Sequence, residues 1–190
     1  TQFYTVAIPE DKNDNRYLGG TQDNGSPWFN TNNQNYASID ISSGDGSFCY
    51  WGKQDVFVSS QNGTTLRLGL AQNGGNPPSI YTAGGYDWDF ITPIFPSADA
   101  IFINPFTVDP KDESYVYFIT KKQLFRNNNV RNIGAGTYNQ QPTLEHWSIL
   151  NNFTAPTNYR LSAVSASYEG NSHVVYVAQS PTNSSGLPKI

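Results

Sequence analysis

The feature that most limits the fold is a repeat. Four stretches share one layout: an apolar strand, a polar turn, then a second strand centred on Tyr, Val or Phe. They read "FYTVAIPEDKNDNRYLGGTQDNG", "GSFCYWGKQDVFVSSQNGTTLRL", "AIFINPFTVDPKDESYVYFITKKQLFR" and "RLSAVSASYEGNSHVVYVAQS". Tyr17, Val56, Val116 and Val175 hold the same place in each. They lie roughly 40–60 residues apart, the period of architectures in which one unit cannot bury its own faces and must stack on the next. A four-stranded propeller blade takes roughly 40–50 residues before loops are added. The expected fold is therefore all-β, about three to four blades of a β-propeller. It is read as one segment over 1–190 with approximate units 1–30, 40–70, 98–127 and 145–190. A closed propeller has about 4–8 blades. This implies either the remaining blades of a longer chain or self-association of copies around an axis. The closing "GLPKI" reads as the opening of another strand, and the absence of methionine, even at position 1, fits a processed chain or a piece of one.

Composition agrees. Aromatics are 14% of the 190 residues and helical periodicity is weak throughout. Aromatic and β-branched residues favour strands, and Gly, Asn, Asp, Ser and Pro favour the turns between them. Strands are expected at 3–8, 17–21, 47–51, 56–59, 65–70, 100–103, 116–120, 123–126, 161–166 and 174–179, with Asn-rich loops at 30–36, 71–87 and 127–143. The net charge is −4 and no basic run stands out; Lys121, Lys122 and Arg126 form the densest group. That is no counterion-releasing face for nucleic acid. No apolar stretch approaches the ~20 residues of a membrane span. Cys49 stands alone, and His146 and His173 lie far apart. Neither an internal disulfide nor a metal or cofactor ligand set is expected.

The stretches "YLGGTQDNGS" (17–26), "SSGDGSF" (42–48), "DVFVSSQNGTTLRL" (55–68), "FTVDPKDESYVYFITKKQLFR" (106–126) and "VVYVAQS" (174–180) resemble the Asp-box-type propeller repeats. That group includes sortilin-like domains, xyloglucanase-type glycoside hydrolases and many secreted bacterial repeat proteins. The resemblance covers most of the chain, and it implies fold more than activity, because propellers host many functions. The Asp-box pattern is Ser-x-Asp-x-Gly-x-Thr-Trp. Its nearest match here, "SSQNGTTL" (59–66), has Gln61 in place of Asp and Leu66 in place of Trp. The motifs that surround the hydrolase carboxylates are not found around Asp23 or Asp45, so the resemblance carries no catalytic role onto either.

Several residues are candidates on their own chemistry. In "GGTQDNGSPWF" (19–29), Asp23-Asn24-Gly25 is turn chemistry: Asp accepts a backbone N–H two residues on, and Asn and Gly tolerate positive φ. "QNG" recurs at 61–63 in the equivalent place. The same stretch also sets an acid beside Trp28 and Phe29, a pairing that suits sugars, whose CH faces stack on rings. Asp45, in "SGDGS", is either a Gly-Asp-Gly turn or an acid at the head of an innermost strand facing a channel. In "YDWDF" (86–90), Asp87 and Asp89 share one face of a strand and Trp88 takes the other. Paired carboxylates of this kind are the tools of glycoside hydrolysis, and also an ordinary solvated edge over a core Trp. "EDKNDN" (10–15) and "DPKDES" (109–114) look like calcium loops, but Arg16 stands where the loop needs Gly, so turn chemistry explains them. Asn24, Asn62, Asn152 and Asn183 begin glycosylation sequons, which are frequent by chance in so Asn-rich a chain.

The expectation is ligand recognition by a secreted or cell-surface propeller, with carbohydrate the leading ligand class and Asp23, Trp28, Phe29, Asp87 and Trp88 the candidate binding residues. Two alternatives are a xyloglucanase-like glycoside hydrolase, with Asp23 and Asp45 as weak catalytic candidates, and a sortilin-like propeller with a protein ligand.

Overall fold

Strand, polar turn, strand is the arrangement that recurs in the computed structural model, which describes residues 2–31, 38–70, 88–134, 141–169, 172–183 and 186–190. The chain is all-β, and its strands form four separate antiparallel sheets in chain order. The first contains β1 (Phe3–Ala7), β2 (Arg16–Thr21), β3 (Pro27–Asn30) and β4 (Ile39–Asp40). The second contains β5 (Gly46–Trp51), β6 (Asp55–Ser60), β7 (Thr65–Gly69) and β8 (Asp89–Phe90). The third contains β9 (Phe106–Val108), β10 (Val116–Ile119), β11 (Leu124–Asn127) and β12 (Trp147–Ile149). The fourth is a long hairpin of β13 (Tyr159–Glu169) and β14 (Ser172–Pro181). In each four-stranded sheet every strand pairs with its sequence neighbour, and no sheet closes on itself. Tyr17, Val56, Val116 and Val175 each fall on the second strand of their sheet.

Strand alternation explains why the sheets stack. Side chains along a strand point to opposite faces in turn. On β6, Val56 and Val58 enter a core shared with the first sheet (Leu18, Trp28, Ile41), while Phe57 enters a core shared with the third (Phe106, Val116, Phe118). On β10, Val116 and Phe118 face that second core, and Tyr117 and Ile119 face a third one with Leu161 and Val177. The middle sheets are thus apolar on both faces, as layers covered from both sides must be. The first strands also meet. Thr5 Oγ1 donates to the Ser47 carbonyl at 2.8 Å, Asn104 N–H to Ser47 Oγ at 3.0 Å, and Ala166 N–H to Thr107 Oγ1 at 3.2 Å.

Residues 100–103 are not the strand that their composition suggests. They follow a 3-10 turn at Ser97–Asp99, Phe102 is 52% exposed, and Pro105, which lacks an N–H, comes just before β9. The Phe102 carbonyl accepts instead from Asn62 N–H of the neighbouring sheet at 3.0 Å. Most of the expected loop at 30–36 and all of 71–87, including Asp87, lie outside the described residues. Near the chain's last residues, Gln179 and Lys189 exchange two backbone hydrogen bonds, so this stretch begins to pair with β14. Among the described residues no helix is long and apolar enough to cross a membrane.

Candidate functional site

The turns between second and third strands line up at one end of the stack, and each is tied to the segment leading into the next sheet. Gly25 N–H donates to the Gly44 carbonyl at 2.7 Å, Asn62 N–H to Phe102, and Leu161 N–H to the Lys121 carbonyl at 3.0 Å. Lys121 N–H in turn donates to the Asp99 carbonyl at 2.8 Å. The sequence folds this way because its turns supply the backbone shapes required. Gly25 (φ 60), Asp23 (φ 62) and Asn62 (φ 61) all occupy the left-handed region, which Gly enters freely and Asn and Asp tolerate. A Cβ on Gly25 would sit 1.9 Å from the Ser42 carbonyl oxygen.

The turn at 22–25 is as the sequence suggests, but Asp45 holds it rather than Asp23. Asp23 N–H donates to Asp45 Oδ1 at 2.7 Å. Gln61 N–H donates to the Asp45 carbonyl at 2.9 Å, and Asp45 N–H to Gln61 Oε1 at 3.3 Å. Asp45 is 8% exposed and clasps the turns of two sheets. Tyr4 also hydrogen-bonds it, and desolvation, then the Asp45 and Asp23 carboxylates, push the Tyr4 phenol above its ordinary value.

The other sequence candidates do not converge. Trp28 and Trp88 are each 1% exposed and pack in the core between the first two sheets, with the Trp28 ring tilted against Trp51 at a centroid distance of 4.5 Å. Phe29, one residue along β3, takes the opposite face and stacks on Tyr17 at 4.6 Å. Asp23 lines a separate small cleft with Gln2, Gln22 and Asn24. Asp89 is no free acid: Arg67 Nη2 binds its Oδ2 at 2.5 Å. That pair belongs to a buried chain of charges in which Arg67 also holds Asp55 at 2.7 Å, Arg131 holds Asp55 at 2.5 Å, and Arg131 holds Glu113 at 3.1 Å. Glu113 accepts the Lys53 N–H at 2.6 Å, so the chain pins the second sheet to the third.

The two calcium-like loops are turns. Asp11 Oδ1 accepts Asn13 N–H at 2.9 Å, and Asp109 Oδ1 accepts Lys111 N–H at 2.9 Å. The other Asp109 oxygen lies 2.7 Å from His173 Nδ1, whose ring stacks on Tyr115. Among the described residues no group of three metal-ligating side chains gathers.

No family model matches this chain, and no curated protein matches it.

A further cleft is one that the sequence does not mark as a ligand site. It has a volume of about 510 Å³ and lies where the Asn62 turn, residues 97–103, Lys121 and the start of β13 meet. Its lining includes Phe102, which is 52% exposed, the polar residues Asn62, Ser97 and Ser162, and the basic residues Lys121 and Arg160. Among the described residues no acidic one lines it. Lys121 Nζ donates to the Ala98 carbonyl at 3.0 Å, which holds the ammonium at the rim. In the sequence Asn62 stood out as a turn and sequon position and Lys121 as part of the densest basic group, neither as a ligand site. Asn62, Phe102 and Arg160 come from three different sheets or connections, and only the stacking brings them together.

Proposed function

We propose that the chain is the ligand-recognition portion of a secreted or cell-surface β-propeller, its sheets serving as consecutive blades, and that its ligand is a carbohydrate. The observation that carries this reading is the cleft at the turn end, where an exposed aromatic ring stands among amide and hydroxyl groups. Sugars are recognised by that combination, their CH faces against a ring and their hydroxyls on polar side chains. The blade reading draws support from three successive four-stranded meanders, a two-stranded fourth sheet and first strands that abut in order. Recognition residues on turns held by a rigid scaffold are the usual division of labour.

A glycan array tests it. The chain should bind a subset of glycans, and Phe102→Ala should abolish the signal at an unchanged melting temperature, since the ring is half exposed and lies outside the cores. Binding that survives Phe102→Ala, or no glycan bound at all, would overturn the reading.

A further inference from the structure

We infer that the cleft takes a saccharide bearing a carboxylate, a uronic-acid-type sugar, with Arg160 and Lys121 as the groups that select its charge. This rests on the carbohydrate reading above and narrows it. The chain is net acidic, yet among the described residues this cleft is lined by two cations and no acid. Three arginines elsewhere are neutralised, Arg16 by Asp14, Arg67 by Asp55 and Asp89, and Arg131 by Asp55 and Glu113. Among the described residues neither Lys121 nor Arg160 forms an ion pair. A pair of uncompensated cations in one concave site carries a standing positive potential, which favours an anionic ligand and speeds its approach.

The two cations differ in kind, and the difference fits a carboxylate. Arg160 sits on β13, in register with Ser180 on β14, so rigid backbone carries its guanidinium. A guanidinium presents a planar fork that matches the two oxygens of a carboxylate. Lys121 is fixed on both sides by backbone hydrogen bonds, to Asp99 and from Leu161, and supplies a point charge at the rim. Phe102 then offers its ring to the apolar face of the same sugar, and Asn62 an amide to its hydroxyls.

The test uses the whole chain and titration calorimetry with galacturonic-acid oligosaccharides, neutral xylo-oligosaccharides, a sulfated oligosaccharide and a poly-glutamate peptide. Binding to the uronate oligomer is expected, weakened about tenfold or more by Arg160→Ala and by raising the salt toward 0.5 M. Arg160→Lys should restore only part of the loss, because it keeps charge without the fork. Lys121→Gln should weaken binding less than Arg160→Ala. Thermal melts of each variant should match the parent, as both side chains lie outside the cores. Equal binding of neutral and uronate oligomers, or an Arg160→Ala variant that binds as the parent does, would overturn the charge inference and leave the carbohydrate reading standing. Tighter binding of the sulfated oligomer would reassign the anion and overturn the carboxylate. Binding of the peptide alone, or of nothing, would overturn both.

Discussion

Gly25 and Asp45 show how much a turn end depends on single residues. At Gly25 any side chain meets the Ser42 carbonyl and forces a residue into the left-handed region. Gly25→Val should destabilise the fold by about 1–3 kcal/mol or more, measured by denaturant unfolding. Asp45→Ala should cost about 1–3 kcal/mol, because it leaves the Asp23 N–H without its partner. Asp23→Asn should change stability little, since the bond there uses the Asp23 backbone. A larger loss for Asp23→Asn than for Asp45→Ala would contradict this division. Cys49 offers a chemical check of packing: desolvation pushes its thiol up to about 12 despite bonds from Thr5 and Gly20. A thiol so raised reacts slowly near neutral pH, because the thiolate is the nucleophile. Iodoacetamide at about pH 8 should therefore label it much faster after denaturation than in the folded chain. At this scale the sequence was legible where local chemistry decides, as in the positive φ of Gly25. It misled where a neighbour in sequence points the other way. Trp28 adjoins Phe29, but alternation buries Trp28 in the core and leaves Phe29 half-buried on the opposite face.

Among elements, the second strands were the easiest to read, because their Tyr, Val and Phe centres face a covered sheet on at least one side. The fourth strands β4, β8 and β12 are only two or three residues long and leave no periodic signal. Residues 100–103 are apolar without being a strand: Ala100 closes the 3-10 turn onto Ser97, and the Phe102 carbonyl bonds to a turn of the neighbouring sheet. The cleft was illegible for the same reason: its parts come from connections whose positions only the stacking sets. Between the second and third sheets the buried charges make a sharp test. Asp55 is 2% exposed and held by two arginines, so Asp55→Ala should cost about 3–5 kcal/mol by leaving them uncompensated. Acid should loosen the connections first. The Ser114 hydroxyl holds Asp112 below the usual carboxylate range, and the Arg16 side chain does the same for Asp14. A depressed carboxylate contributes stability that is present above its ordinary value near 3.9 and lost as pH falls below it. Melting temperature should hold from about pH 7 to 5 and fall below about pH 4, less steeply in Asp112→Asn.

The whole molecule has two outer sheet faces that nothing among the described residues covers. On the first sheet Val6 is 57% exposed and Phe3 46%; on the last, Tyr176 is 48% exposed. In the inner sheets the matching face is core, as Val56 and Val116 show. The isolated chain should therefore associate with rising concentration in sedimentation velocity, and Val6→Glu or Tyr176→Lys should weaken it. A monomer at every concentration would contradict this.

The alternation on β6 and β10 reaches further than packing. Each strand lends successive side chains to two different cores, so neither core can melt without loosening the sheet that feeds the other. The outer sheets lack that double tenancy. In native-state hydrogen exchange the amides of β6 and β10 should open last and together, and those of β1 and β14 first, so that the protein frays inward from both ends.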